Sequence, residues 1–457
     1  MLTAKGQGLI MQHILDAVRA ADFVKKMGHV RQLTGLSIES TGPDVLVGEI
    51  CEIRTRYGDH KIKAEVVGLR DGRVMLMPYS EIHGIGVGSE VLATGQLPRI
   101  AVGEHLLGRV IDAFGDPLDG KPLMQASEYR PLKAMPLNPL SRPRIKEILE
   151  TGVRCIDGML TIGKGQRVGI FAGSGVGKST LLGMISRHTV ADVNVIALIG
   201  ERGREVREFI EKHLGAEGIK RSVVIVATSD QPALARARAA YAATAIAEYF
   251  RDNGKQVMLT MDSVTRFAMA KREIGLSVGE PPTARGYTPS VFAEIPELCE
   301  RCGTASSGGA ITALYTVLVE GDDFNEPVSD MLRATLDGHI MLSRRLAQQG
   351  HYPAIDVLHS VSRLLGDLIS SEDQALVHEA LENMASYERN RQLIDMGAYR
   401  AGSSAEIDQA IQLWPHLTRF LRQRDEDVLG REQVVAQLRD ILSNAGKQET
   451  QSDGVLQ

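Results

Sequence analysis

The chain has 457 residues, enough for two or three domains. Hydrophobic residues at 43% and charged residues at 24% are ordinary for a globular protein, and a net charge of −5 gives no reason to expect nucleic acid as the main partner. Four cysteines do not make a disulfide framework, no apolar run reaches the ~18 residues of a membrane span, and no signal-peptide pattern opens the chain, so the expected setting is cytoplasmic and reducing.

Residues 1–27 predict an amphipathic helix. Ile10, Ile14, Ala17, Val18, Ala21 and Val24 recur at three- and four-residue spacing, with Arg19, Lys25 and Lys26 near the other face. Such a helix packs on its own domain or docks on a partner or a membrane surface, and the spacing alone favours the first. Residues 28–95 change character. Short β-type runs at Val45–Ile53, Ile62–Leu69 and Val74–Met77 alternate with turns at Gly42-Pro43, Gly58-Asp59 and Asp71-Gly72. Strands this short and evenly spaced suggest a small closed barrel. Residues 96–150 are Pro-rich and read as a linker. Their segment Leu107–Gly120, LGRVIDAFGDPLDG, carries two tight turns and reads as a structural connector.

From residue 151 strands and helices alternate, which argues a mainly parallel sheet covered on both faces, a domain expected over 151–364. Val168, Ile170 and Phe171 form a short apolar run. The loop Ala172, Gly173, Ser174, Gly175, Val176, Gly177, Lys178, Ser179 follows, and a helix starts near Thr180. Strand, Gly-rich loop and helix in that order are the context of a phosphate-binding loop. Its glycines let successive N–H groups turn inward around an anion, and the helix N-terminus adds partial positive charge. Lys178 is expected on the β- and γ-phosphates and the Ser179 hydroxyl on Mg²⁺. Ala172 stands where the general pattern has glycine.

Val193–Ile199 is the next strand, and Glu201 falls just past its carboxyl end, where ligand sites of such sheets lie. A carboxylate there either orients a water attacking the γ-phosphate or is a surface acid at a helix start, and spacing does not decide between them. Val223–Ala227 is a strand and Pro232–Arg251 a helix rich in alanine. Val257–Met261 then runs into Asp262, the expected metal acid, holding Mg²⁺ through water. Arg266 is four residues on, able to reach the phosphates or to pair with an acid. Cys299 and Cys302 read as two thiols one helical turn apart, because zinc needs a second ligand pair and Cys51 and Cys155 are isolated. At Tyr352 the chain reads YPAIDVLHSVSR. Tyr352 offers a face for a base to stack on, and Arg363 a guanidinium suited to phosphate oxygens, of its own chain or a neighbour's. Residues 365–443 predict a helical C-terminal domain punctuated by Gly402-Ser403-Ser404, and the polar residues 444–457 an unstructured tail.

PAIDVLHSVS at 353–362, LGRVIDAFGDPLDG, the phosphate loop and GER at 200–202 resemble the alpha and beta subunits of rotary ATP synthases. Closer still is the ATPase family of flagellar and virulence type III protein export. The resemblance runs through LIGERGREVREFIE at 198–211, the segments at 224–252 and 261–298, and ALYTVLVEGDDFNEPVSD at 313–330. It covers nearly the whole chain from about residue 28. It implies a β-barrel domain, a RecA-like nucleotide domain and a helical C-terminal domain, assembled as a homohexamer that hydrolyses ATP with Mg²⁺. It further implies that residues 172–180 cradle the phosphates, that Glu201 positions the attacking water with Arg202 beside it, and that Asp262 is the metal acid. Tyr352 would stack on adenine and Arg363 would be the arginine finger given to the neighbouring site. The implied partners are a stator or regulator protein, a central stalk protein, an export gate and substrate–chaperone complexes, and the implied setting is cytoplasmic with peripheral contact at the inner membrane. The family also shows alanine at the position of Ala172.

One chain here holds both Glu201 and Arg363, which ATP synthase divides between two subunits, so copies of this chain alone can complete every site. That argues against an ATP synthase subunit. The other alternative is an RNA-driven ring helicase. It would need a barrel rich in exposed aromatics and basic residues, and 28–95 offers mainly Tyr57 and Tyr79.

Overall fold

The computed structural model describes residues 26–55, 60–122, 126, 128–319, 323 and 326–452. The helix expected over 1–27 therefore lies outside the described residues, except that Met27 opens a strand. The chain divides after Pro98 into two compact units, with residues 277–279 joining the first.

The first unit is a closed six-stranded barrel. In chain order its strands are Met27–Thr34, Ser37–Ser40, Ile50–Arg54, Lys61–Arg70, Arg73–Pro78 and Glu90–Gln96, and the last pairs back onto the first. Alternation makes it close: Ile62, Ala64 and Val66 point inward from one strand while Lys61, Lys63 and Glu65 face out. Val30, Ile38, Ile53, Leu76 and Val91 complete the interior. Three strands were legible in the sequence as apolar runs. Met27–Thr34 and Glu90–Gln96 were not, because polar residues fill half of each.

The second unit is built on a nine-stranded sheet. Across it the strands run Ile355–Ser362, Gly338–Leu342, Arg167–Ala172, Ala310–Leu318, Gln256–Asp262, Val193–Ile199, Ser222–Ala227 and Arg109–Asp112, with Gly303–Thr304 paired beside Ala310–Leu318. Seven of these are parallel, and only Ile355–Ser362 at one edge and the short Gly303–Thr304 run antiparallel. Every residue of Val193–Ile199 and Ser222–Ala227 is buried, as strands covered on both faces must be. The helix Ala233–Asp252 lies on this sheet through Ala239, Ala240, Ala243 and Ala247, whose small side chains bring its axis close.

Two boundaries differ from the sequence reading. Arg109–Asp112, inside the stretch read as a connector, is the edge strand of the main sheet, with Ile111 and Ala113 buried. Four strand residues between tight turns carry too little periodicity to show. What holds the turn is Arg109, which donates from Nε to Asp119 at 2.6 Å and holds that carboxyl down to about 2. The C-terminal helices Ser371–Asp395, Ala405–Leu421 and Arg431–Ser452 are helical as expected, but they do not form a separate core. Val377, Met384, Leu413, Leu417, Phe420, Val434 and Leu438 belong to the same apolar cluster as Val168, Ile170 and Leu342 of the sheet. The last helix also continues to Ser452, past the expected boundary at 443.

Candidate active site

Five strands of the second unit end on one rim, and the site is built there. The phosphate loop leaves Arg167–Ala172 at Ala172, which is fully buried between Leu318 and Leu342 on the neighbouring strands. Ala172 is thus a strand residue, and the departure from glycine falls where no positive φ is needed. Gly175 and Gly177 take φ of 76° and 91°, the left-handed region that side chains resist, whereas Gly173 does not. Val176 is buried and anchors the loop from beneath. Gly177 caps the helix Lys178–His188, whose free N–H groups face the loop's opening.

Lys178 Nζ lies 2.5 Å from Asp262 Oδ1 and 3.4 Å from Glu201 Oε1, bringing three sequence-predicted residues into one cluster. Asp262 ends its strand with its carboxylate 4% exposed, and it also accepts from Thr316 Oγ1 at 2.7 Å. Burial alone would lower the Lys178 pKa, but the Asp262 and Glu201 carboxylates outweigh it and hold the ammonium charged. Glu201 is pushed up to about 7, first by burial, then by a hydrogen bond shared with Glu205 and by the charge on Asp262, with Lys178 opposing. The surface reading of Glu201 fails on position: its side chain is 17% exposed, and the next helix starts two residues later at Gly203.

Around this cluster a cavity of about 890 Å³ opens, lined by the loop, Glu201, Ser229, Arg266 and Tyr287 among others. Arg202 lines it too, but its side chain is 82% exposed and pairs with Glu205 at 3.6 Å, so it stands at the rim. Arg266 packs across Gly200. Its Nη1 lies 3.6 Å from the Met269 sulfur, and its Nε is buried without a partner. A Cβ on Gly200 would sit 2.8 Å from Arg266 Cβ and Cγ, at a φ of 69°. Gly200→Ala is therefore expected to cost ~1–3 kcal/mol and to displace Arg266. Thermal unfolding checks this, and an unchanged midpoint would contradict it.

A second cavity, of about 430 Å³, adjoins the helix start. Tyr352, Pro353, Leu181, Met184 and the segment Gln423–Asp425 line it. The Tyr352 ring lies against Gly177, 3.3 Å from where a Cβ would be. Arg363 is elsewhere. It follows the antiparallel edge strand, whose Ser362 pairs with Gly338 and whose Ile355 pairs with Leu342. Leu342 is level with Ala172 and Gly338 with Val168, so Arg363 leaves the sheet at the end opposite the phosphate loop. Four ladder steps at ~3.3 Å put ~13 Å of sheet between them. Arg363 is exposed, and its Nη2 donates to Arg333 O at 2.8 Å.

Sequence reasoning missed Arg272, Arg285 and Arg344, which also line the larger cavity, and Gln423–Asp425 in the smaller. Arg272 lies over the Tyr287 ring at 5.0 to 5.2 Å, printed as 5.1 Å to its centroid. No motif or periodicity marks these residues, and only the fold brings them in. The two thiols behave as expected: Cys299 is in the helix Pro289–Glu300, and both are buried, with Cys302 Sγ 3.2 Å from the Tyr315 hydroxyl.

Known proteins with this architecture are numerous. Residues 30–95 match the beta-barrel domain of the ATP synthase alpha/beta family, and 152–362 its nucleotide-binding domain. Residues 369–440 match the T3SS EscN ATPase C-terminal domain. The flagellum-specific ATP synthase of Bacillus subtilis (strain 168) is 54% identical over 95% of this chain and 99% of its own. The assembled ATPase EscN from the enteropathogenic E. coli type III secretion system is 42% identical, with a TM-score of 0.86 over 91% of this chain and 100% of that one. The same ATPase in complex with its central stalk EscO gives a TM-score of 0.83 at 42% identity over the same shares. The chain therefore belongs to the ATP synthase alpha/beta family, in the branch of flagellum-specific ATP synthases and type III secretion ATPases.

Proposed function

We propose that the chain is the ATP-hydrolysing motor of flagellar protein export, working as a ring of six identical copies. The carrying observation is the cluster of Lys178, Glu201 and Asp262 at the mouth of the phosphate loop. Lys178 and the loop N–H groups bind the β- and γ-phosphates, competing with the carboxylates that now hold the ammonium. Glu201 orients the water for in-line attack. Its pKa of about 7 suits a group that takes up and releases protons near neutrality. Ser179 lines the cavity, and Asp262 has Oδ1 engaged by Lys178 and Thr316, so these two residues fit a Mg²⁺ held in part through water. That ion would neutralise charge on the phosphates.

Tyr352 stacks on the base, supported by its place against Gly177. Arg363 acts on the neighbour's site, supported by its departure from the far end of the sheet. A basic group that cannot reach its own loop, in a chain carrying all other parts, favours a ring in which each interface is one site. By likeness to EscN a central stalk is the expected partner, with a stator protein, an export gate and substrate–chaperone complexes around it. No helix among the described residues is long and apolar enough to cross a membrane. Cytoplasmic residence with peripheral contact at the membrane completes the reading.

Activity per chain should rise with protein concentration, because an isolated chain lacks the finger. Steady-state ATPase measured across the assembly threshold, with mass checked by light scattering, is the test. Specific activity that stays flat through the threshold would count against sites shared between chains.

A further inference from the structure

The smaller cavity differs from the phosphate site in how little of its chemistry is free. Gln423 is buried and its amide is fully engaged: Nε2 donates to Gly152 O at 2.8 Å and to Asp427 O at 2.9 Å, while Oε1 accepts from Arg154 N at 2.7 Å. Its own N–H donates to Tyr352 O at 3.0 Å, which ties the segment to the tyrosine. Asp425 is paired with Arg187 and lies 3.9 Å from His188 Nε2. Leu181, Met184 and Pro353 are apolar, and the Thr180 hydroxyl donates or accepts with equal ease. Arg424 is the exception. Its backbone is held in a turn, N–H to Asp427 Oδ2 at 3.3 Å and O from Asp427 N at 3.1 Å, while its guanidinium is exposed and has no partner among the described residues.

We propose that Arg424 covers the outer face of a purine stacked on Tyr352, and that the pocket reads this flat face rather than the base's edge, so that ATP and GTP are both substrates. This rests on the nucleotide reading above. A guanidinium is planar and weakly hydrated, and it stacks on aromatic rings while its charge meets the π-cloud. Purines share that face. Their edges differ, adenine presenting an amino donor beside N1 and guanine a carbonyl beside N1–H, and discrimination needs fixed donors or acceptors aimed there. The amide that would supply them is already committed. The Asp425 carboxylate accepts equally from the amino group of either base.

The experiment is steady-state hydrolysis of ATP, GTP and inorganic tripolyphosphate, which has no base, by the full chain and by Arg424→Ala and Arg424→Lys. In the unsubstituted protein kcat/KM for ATP and GTP should agree within about tenfold. Arg424→Ala should raise KM for both purine nucleotides by about three- to tenfold, with kcat retained and no rise in KM for tripolyphosphate. Arg424→Lys, which keeps the charge but not the plane, should fall between. A KM that rises for ATP alone, or for no substrate, would overturn the proposal, as would a preference for ATP beyond about a hundredfold. Failure of the nucleotide reading itself looks different: the unsubstituted protein would hydrolyse none of the three.

Discussion

Lys178→Ala abolishes ATP hydrolysis and leaves the fold in place. Turnover should fall by about 10³ or more, because the ammonium is the side-chain cation that meets the charge developing on the transferred phosphoryl group from inside the loop. The fold survives for an electrostatic reason. Removing Lys178 leaves Asp262 and Glu201 facing one cavity with nothing between them, and stranding buried charge is normally costly. Glu201, however, is already raised to about 7, and Lys178 is the group that restrains it. Without the lysine its pKa rises further, the carboxyl takes up a proton near neutrality, and the repulsion is relieved. Circular dichroism should therefore be native-like while phosphate release is lost. Native-like dichroism with unchanged turnover would remove Lys178 from the mechanism.

The parts of this site that were legible in the sequence share one property: they sit at the end of an apolar strand. Ala172, Glu201 and Asp262 each follow a run of buried residues, and a parallel sheet places such ends on one rim whatever the strand order. The distance between Lys178 and the two acids could thus be anticipated as contact without a map. Arg272, Arg285 and Gln423–Asp425 follow no such run. They come from loops whose position depends on how helices return to the sheet, and neither spacing nor charge announces it. The fold shows the same division. The buried strands of the second unit were read nearly residue for residue, while the edge strand Arg109–Asp112 was taken for a connector. An edge strand needs few apolar residues, and this one is held by the Arg109–Asp119 pair and by hydrogen bonds to a neighbour more than a hundred residues away. The C-terminal helices were recognised as helices, but their sharing of the sheet's core depends on long-range packing that periodicity does not report.

Arg363→Ala and Glu201→Gln should each be nearly inactive alone and recover activity when mixed. Arg363→Ala should cost about 10³ to 10⁵ in rate, the range for a guanidinium that stabilises charge on the transferred phosphoryl group, while ATP still binds. Glu201→Gln should also bind ATP and turn over slowly, because an amide is a far poorer acceptor for a water proton. The structure motivates the mixing. Glu201 opens onto the phosphate loop of its own chain, and Arg363 leaves the sheet at the opposite end. A site that needs both must take them from two chains. In a mixed ring an Arg363→Ala chain supplies an intact Glu201 to an interface whose neighbour, a Glu201→Gln chain, supplies an intact Arg363. With equal, random mixing about one interface in four has both groups, so about a quarter of full activity returns if interfaces fire independently. Coordinated firing around the ring would return less. Steady-state ATPase across mixing ratios, after subunit exchange has been confirmed with differently labelled chains, is the measurement. No recovery in rings shown to be mixed would mean that both residues serve one chain's site or that a lone intact interface cannot fire, and either result overturns independent sites built between neighbours.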